Sequence, residues 1–172
     1  MNLAIRKRQD TGGGGSDRIR GFENIQGSEH ADRLLGDDGA NAISGGSGDD
    51  VIHGGEGPDR LSGGTGADVF RYGAALEAGL GGGNHDVITD YGSGDRIDLA
   101  AIDADDGRRR DQAFRYIGSD PFTASAQLRY AIDSGVGDSV GWLEGNTGGD
   151  LSPEFQIALL GAPELQAADF IL

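Results

Sequence analysis

Oxygen-bearing side chains return at every ninth residue between positions 18 and 98. Counting in nines from Arg18, the sixth place is held by Glu23, Asp32, Asn41, Asp50, Asp59, Asp68, Glu77, Asp86 and Asp95, all potential oxygen ligands. The first, second and fourth places of the best-formed units are glycine: Gly27, Gly36, Gly45, Gly46, Gly48, Gly54, Gly55, Gly57, Gly63, Gly64 and Gly66. Glycine reaches backbone conformations closed to other residues, so six residues can turn tightly with their carbonyls aimed at one point. Carbonyls from such loops, with a carboxylate from each of two stacked loops, supply the six to eight hard oxygens at about 2.3–2.6 Å that calcium takes. These glycines and the side chains of Asp32, Asn41, Asp50, Asp59, Asp68, Asp86 and Asp95 are therefore the candidate ligands of several calcium ions.

The elements that position them follow from the last three places of each unit. The eighth place holds Ile25, Leu34, Ile43, Ile52, Leu61, Phe70, Gly79, Ile88 and Ile97, so only Gly79 is not large and apolar. A three-residue strand with one inward side chain explains a single apolar residue per unit. Five consecutive nonapeptides from Gly27 match or approximate G-G-x-G-x-D-x-U-x, the calcium-binding repeat of RTX proteins. Two nonapeptides form one turn of a right-handed parallel β-roll, which stacks loops 18 residues apart. The irregular segment 72–80, YGAALEAGL, is nine residues long and keeps the phase. Stacking by 18 puts Asp32, Asp50, Asp68 and Asp86 on one edge and Glu23, Asn41, Asp59, Glu77 and Asp95 on the other; the all-aspartate edge is expected to bind more tightly.

Composition narrows the function. The 172 residues include 33 glycines, no cysteine, and 29 acidic against 14 basic residues, a net charge of −15. With acidic residues outnumbering basic ones two to one, no basic surface is expected to displace counterions from phosphate, which argues against a nucleic-acid partner. No apolar run is long enough to cross a bilayer, and no N-terminal export signal is legible. Without disulfides, and with only two large apolar side chains per 18-residue turn, the roll should need metal to fold. The three histidines, His30, His53 and His85, lack the H-E-x-x-H spacing of a zinc protease, so no catalytic residue is expected. The run GGGGS at 12–16 reads as linker within a flexible segment 1–17. The acidic pairs Asp37-Asp38 and Asp49-Asp50 fall in calcium loops, and Asp105-Asp106 is expected in an exposed turn beside Arg108-Arg109-Arg110.

Beyond Leu99 the repeat gives way to strand-like segments: QAFRYIG (112–118), QLRYAI (127–132), SVGWLE (139–144), EFQIALLG (154–161) and the terminal DFIL. They read as antiparallel strands capping the roll. With GFENIQGSEHADRLLGDDGAN and DVITDYGSGDRIDLAAIDA, these segments resemble the C-terminal domain of serralysin-type secreted zinc metalloproteases over about 17–172. The resemblance implies an all-β fold: a calcium-loaded parallel β-roll at 18–98, followed at 99–172 by an antiparallel β-sandwich-like cap. It also implies export by a type I ABC exporter that reads an uncleaved C-terminus of one acidic and three apolar residues, here Asp169-Phe170-Ile171-Leu172. Those residues are also expected to form the closing strand, with Phe170 or Leu172 buried. The family's ligand-rich turn is reduced here to Gly145-Asn146-Thr147-Gly148-Gly149-Asp150-Leu151, expected to be a plain hairpin. The reading is a monomeric, secreted, extracellular calcium-binding module without catalysis, unfolded in chelator and folded at millimolar calcium. Two alternatives stay open: an extracellular adhesion or matrix protein, and the accessory calcium-binding module of a carbohydrate-active enzyme such as a mannuronan epimerase.

Overall fold

The computed structural model describes residues 1, 9–10, 16–17, 22–107, 111–134 and 139–172. Of the segment 1–17, only Met1, β1 (Gln9–Asp10) and β2 (Ser16–Asp17) fall within this set, and β1 pairs antiparallel with β2. The rest of that segment, with most of its GGGGS run, lies outside the described residues, as do Arg108, Arg109 and Arg110.

The nonapeptides form short parallel strands. In order these are β3 (Asn24–Gln26), β4 (Arg33–Leu35), β5 (Ala42–Ser47), β6 (Val51–His53), β7 (Arg60–Thr65) and β8 (Val69–Arg71). A four-residue helix, α1 (Ala75–Ala78), then precedes β9 (Asp86–Ile88) and β10 (Arg96–Asp98). Successive strands alternate between two facing sheets. One pairs Ile25 with Ile43 and Ile43 with Leu61; the other pairs Leu34 with Ile52 and Ile52 with Phe70. All eight apolar residues of the repeat phase are at most 3% exposed, and they line the space between the sheets.

The segment 72–85 changes the count. The phase would place a strand at 78–80 beside β7, but Gly79 offers no side chain to the core, and α1 and its following loop occupy the segment instead. The next strand fills the place, so Leu61 pairs with Ile88 and Phe70 with Ile97, each 27 residues on.

The later strands are β11 (Arg115–Tyr116), β12 (Gln127–Asp133), β13 (Val140–Asn146), β14 (Phe155–Leu160) and β15 (Phe170–Ile171). The antiparallel β12, β13 and β14 do not stand apart from the roll. β14 joins β9 in parallel, giving an eight-stranded sheet β11-β12-β13-β14-β9-β7-β5-β3. β15 joins β10 in parallel and closes a five-stranded sheet β15-β10-β8-β6-β4. Both sheets therefore run from the roll into the cap, and the core continues through Leu128, Leu143, Phe155 and Ile157. The terminal strand is placed as expected: Phe170 is 4% exposed and packs on Tyr116, whereas Leu172 is 36% exposed.

Candidate metal centre

The nine-residue carboxylates form two ladders, one on each edge of the roll. On the first, the Asp32 amide donates to Asp50 Oδ1 at 2.8 Å, the Asp50 amide to Asp68 Oδ1 at 2.9 Å, and the Asp68 amide to Asp95 Oδ1 at 2.9 Å. On the second, the Asn41 amide donates to Asp59 Oδ1 and the Asp59 amide to Asp86 Oδ1, both at 2.8 Å. The expected edges hold up to Asp68 and Asp59 and then exchange members. Asp95, not Asp86, follows Asp68; Asp86, not Glu77, follows Asp59. Glu77 leaves the ladder on α1, where its Oε2 lies 2.9 Å from His53 Nε2 and accepts the Gly73 amide at 2.5 Å. The first edge is still all aspartate, while on the second Glu23 is exposed and Asn41 carries no charge.

The second oxygen of each carboxylate separates the turns into groups. Asp32 Oδ2 accepts from the Ser28 amide and hydroxyl, Asn41 Oδ1 from the Asp37 amide, and Asp95 Oδ2 from the Gly92 amide. Oδ2 of Asp50, Asp59, Asp68 and Asp86 is buried and has no hydrogen-bond donor. The charges respond accordingly. Ser28 holds the Asp32 carboxyl below its ordinary value, whereas burial raises Asp50 and Asp68, and raises Asp59 to about 7 and Asp86 to about 8. A buried carboxylate without a donor is costly unless a positive charge meets it.

Three of these oxygens are packed directly against the first glycine of the unit, in the place a side chain would otherwise take. A Cβ on Gly45 would stand 2.2 Å from Asp50 Oδ2, one on Gly54 2.0 Å from Asp59 Oδ2, and one on Gly63 2.2 Å from Asp68 Oδ2. The second glycines make the turns stack. Gly46, Gly55 and Gly64 have φ of +108°, +101° and +95°, and a Cβ there would lie 2.3 Å, 2.3 Å and 2.0 Å from carbonyl oxygens of the turn below. Among the described residues no three or more His, Cys, Asp or Glu side chains converge on a metal position. A cation here would thus be held by carbonyls with one or two carboxylates, a hard-oxygen set that fits calcium and not zinc. Asp86 differs, because a Cβ on Gly81, Gly82 or Gly83 of its loop would meet nothing within 4 Å, and its carboxyl faces the fully buried hydroxyl of Tyr72.

Sequence reading missed one carboxylate. Asp90 accepts the Ser62 hydroxyl at 2.6 Å and the amides of Gly63 and Gly64 at 3.0 Å each, binding the loop beneath it without occupying a sixth position. It also misplaced Asp105, which is 7% exposed and accepts the Ser125 hydroxyl at 2.9 Å; Asp106 alone of that pair is exposed. The segment 145–151 lies at a hairpin between β13 and β14, where Asn146 Nδ2 donates to the Ser152 carbonyl and the Thr147 amide to Glu154 Oε2, both at 2.7 Å. His30 lies in an exposed loop, and His85 sets its ring against Trp142 with centroids 4.8 Å apart.

Stacked glycine–aspartate loops on a parallel roll, closed by antiparallel strands of the same sheets, define an RTX-type β-roll domain. The chain belongs to the family described as peptidase M10 serralysin C terminal, which matches residues 38–172. Among solved structures it is similar to the AlgE6R2 subunit of the Azotobacter vinelandii mannuronan C5-epimerase, at 22% identity and a TM-score of 0.57, covering 86% of this chain and 91% of that one. It also matches the AlgE6R3 subunit of the same enzyme, at 26% identity and a TM-score of 0.43, covering 84% and 80%. The first likeness concerns the fold. No curated protein matches the chain in sequence.

Proposed function

We propose that this chain is a non-catalytic calcium-binding module that folds when calcium enters the spaces between its stacked loops. It acts as the calcium-dependent, secreted end of a type I export substrate. The observation that carries the reading is the trio Asp50, Asp59 and Asp68, each with a buried oxygen that lacks a donor and is packed against a loop glycine. Calcium, when bound, supplies the positive charge those oxygens lack. The glycines keep the turns close enough for carbonyls of adjacent loops to converge, and the ladder amides hold each carboxylate in register. Asp32, Asn41, Asp95 and Asp86 complete the ends of the two ladders as further ligand positions.

Folding by an ion that is abundant outside the cell and scarce inside it suits export of an unfolded chain. In this reading the exporter recognises Asp169-Phe170-Ile171-Leu172 before Phe170 is buried, and the folded product is an extracellular monomer. The test is circular dichroism in chelator and in millimolar calcium, with bound ions counted by native mass spectrometry. A β-rich spectrum that chelation leaves unchanged, or a folded chain with no bound calcium, overturns the calcium role. Coexpression with a type I exporter tests the second part: a chain lacking residues 169–172 should stay inside the cell, and its undiminished secretion would place the signal elsewhere.

A further inference from the structure

The second place of the nonapeptide divides the loops into two kinds. It is held by Ser28 and Asp37 in the first two units from Gly27, and by Gly46, Gly55 and Gly64 in the next three. The Ser28 amide donates to Asp32 Oδ2 and the Asp37 amide to Asn41 Oδ1, both at 2.8 Å. The Ser28 hydroxyl adds a second bond to Asp32 Oδ2 at 2.7 Å and accepts the His30 amide at 3.3 Å. Where the second place is glycine, its amide does not turn in. Among the described residues Oδ2 of Asp50, Asp59 and Asp68 accepts no hydrogen bond, and the Gly64 amide goes instead to Asp90 Oδ2 at 3.0 Å.

Backbone conformation makes the difference. Gly46, Gly55 and Gly64 take φ between +95° and +108°, a region that glycine alone enters readily, whereas neither Ser28 nor Asp37 has a positive φ. The fourth place follows the second. Gly48, Gly57 and Gly66 stand at +107°, +105° and +142°, but Gly39, equally free to go there, does not. Stacking explains where each kind of loop occurs. A Cβ on Gly46 or Gly55 would lie 2.3 Å from the carbonyl oxygen of Ser28 or Asp37, so a loop laid upon another needs glycine at that place. Ser28 and Asp37 belong to the outermost turn, since β3 and β4 end their sheets among the described residues, and there a side chain is tolerated.

The two kinds of loop offer a cation different oxygens. Oδ2 of Asp50, Asp59 or Asp68 is ready to be shared, whereas at Asp32 or Asn41 the cation must first displace a hydrogen bond. A hydrogen bond to a carboxylate is worth about tenfold or more in an equilibrium constant. Asp32 Oδ2 has moved towards Ser28: a Cβ on Gly27 would stand 3.1 Å from it, against 2.0–2.2 Å for the trio. Asn41 Oδ1 keeps the trio's approach, 2.0 Å from a Cβ on Gly36, but it is filled by the Asp37 amide and bears no charge. We infer that the residue at the second place sets the calcium affinity of its loop, so that the positions of Asp50, Asp59 and Asp68 fill first and that of Asp32 fills last, with Ser28 as its determinant. This inference rests on the calcium reading above and adds an order of loading to it.

The test counts ions while folding is followed. The full chain is titrated with calcium from micromolar to about 10 mM, with native mass spectrometry reporting the number bound and circular dichroism the fold. The parent should fold as a first group of ions binds and take a further ion at roughly tenfold higher calcium. Ser28→Gly, at an exposed position, should bring that late ion into the first group. Ser28→Ala removes the hydroxyl but keeps a Cβ at the second place, and should leave the ion late. Asp32→Asn should remove the late ion without moving the folding midpoint, whereas Asp50→Asn should raise that midpoint about tenfold. The inference is overturned if all ions bind at one midpoint, if Ser28→Gly leaves the order unchanged, or if Ser28→Ala acts as fully as Ser28→Gly. A chain that folds without calcium overturns the calcium reading itself, whereas a chain that needs calcium but loads in a single step overturns only the order.

Discussion

The Asp68 amide donates to Asp95 Oδ1 at 2.9 Å across 27 residues, although the turns below it are joined across 18. The extra nine residues are those of α1 and its loop, which form neither a strand nor a rung. Asp68 and Asp95 should therefore behave as a coupled pair, with Asp86 on the opposite edge. Substituting each by Asn, singly and together, should show a coupling of about 0.5–3 kcal/mol for Asp68 with Asp95 in calcium-saturated unfolding. Asp68 with Asp86 should be additive within about 0.5 kcal/mol. Strong coupling of Asp68 to Asp86 would restore the simple 18-residue pairing.

Glycines packed against a carboxylate and glycines facing open space should respond differently to a methyl group. Gly45 and Gly63 have no positive φ, so alanine there acts through clash alone, with the Asp68 carboxylate at Gly63, and at Gly45 with Asp50 Oδ2 and the Gly63 carbonyl oxygen, 2.5 Å from the added Cβ. Each substitution should cost about 1–3 kcal/mol and raise the calcium midpoint of folding. A Cβ on Gly149 would meet nothing within 4 Å and its φ is not positive, so Gly149→Ala should stay within about 0.5 kcal/mol of the parent. Equal effects at Gly63 and Gly149 would show that the close approach of Asp68 to Gly63 is not what builds the site.

Without calcium, acidity should favour the fold. Burial raises the carboxyls of Asp59 to about 7 and Asp86 to about 8, from an ordinary 3.8. A group whose folded pKa exceeds its unfolded value contributes stability that is complete below the unfolded pKa and is lost as pH rises through the folded one. The β signal of the chelated chain should accordingly decline between about pH 4 and 8, and saturating calcium should remove the decline. A chelated chain that gains structure as pH rises over that range would contradict the burial of these carboxyls.

The terminal strand carries more stability than its length suggests. Phe170 is 4% exposed, packs on Tyr116, and belongs to the main core. Phe170→Ala should cost about 3–5 kcal/mol. Leu172→Ala, at a position 36% exposed, should cost well under half of that. Thermal unfolding of both variants in saturating calcium measures the difference, and similar losses would show that the strand is held by its backbone alone.

Much of this was legible along the chain, because a nonapeptide encodes its own loop and strand. The apolar eighth positions needed only local periodicity to be assigned to the core, and all eight large ones are there. The sixth-place aspartates likewise needed only phase to be assigned to loops. The aromatic and β-branched segments after Leu99 announced strands, and the terminal apolar residues announced a closing one. What periodicity could not settle was which strand lies beside which once the repeat is interrupted. Register across residues 72–85 depends on which pairing closes the core, and Gly79 offers no side chain to hold a strand there, so Ile88 and Ile97 take the vacant places and Asp86 and Asp95 exchange edges. Only the packed structure showed that β14 and β15 extend the roll's own sheets, that Asp90 clamps the loop at Gly63, and that Asp105 is buried. Those facts rest on contacts between residues far apart in sequence. A local repeat carries no record of them, because their geometry is created only when the two sheets close on one another.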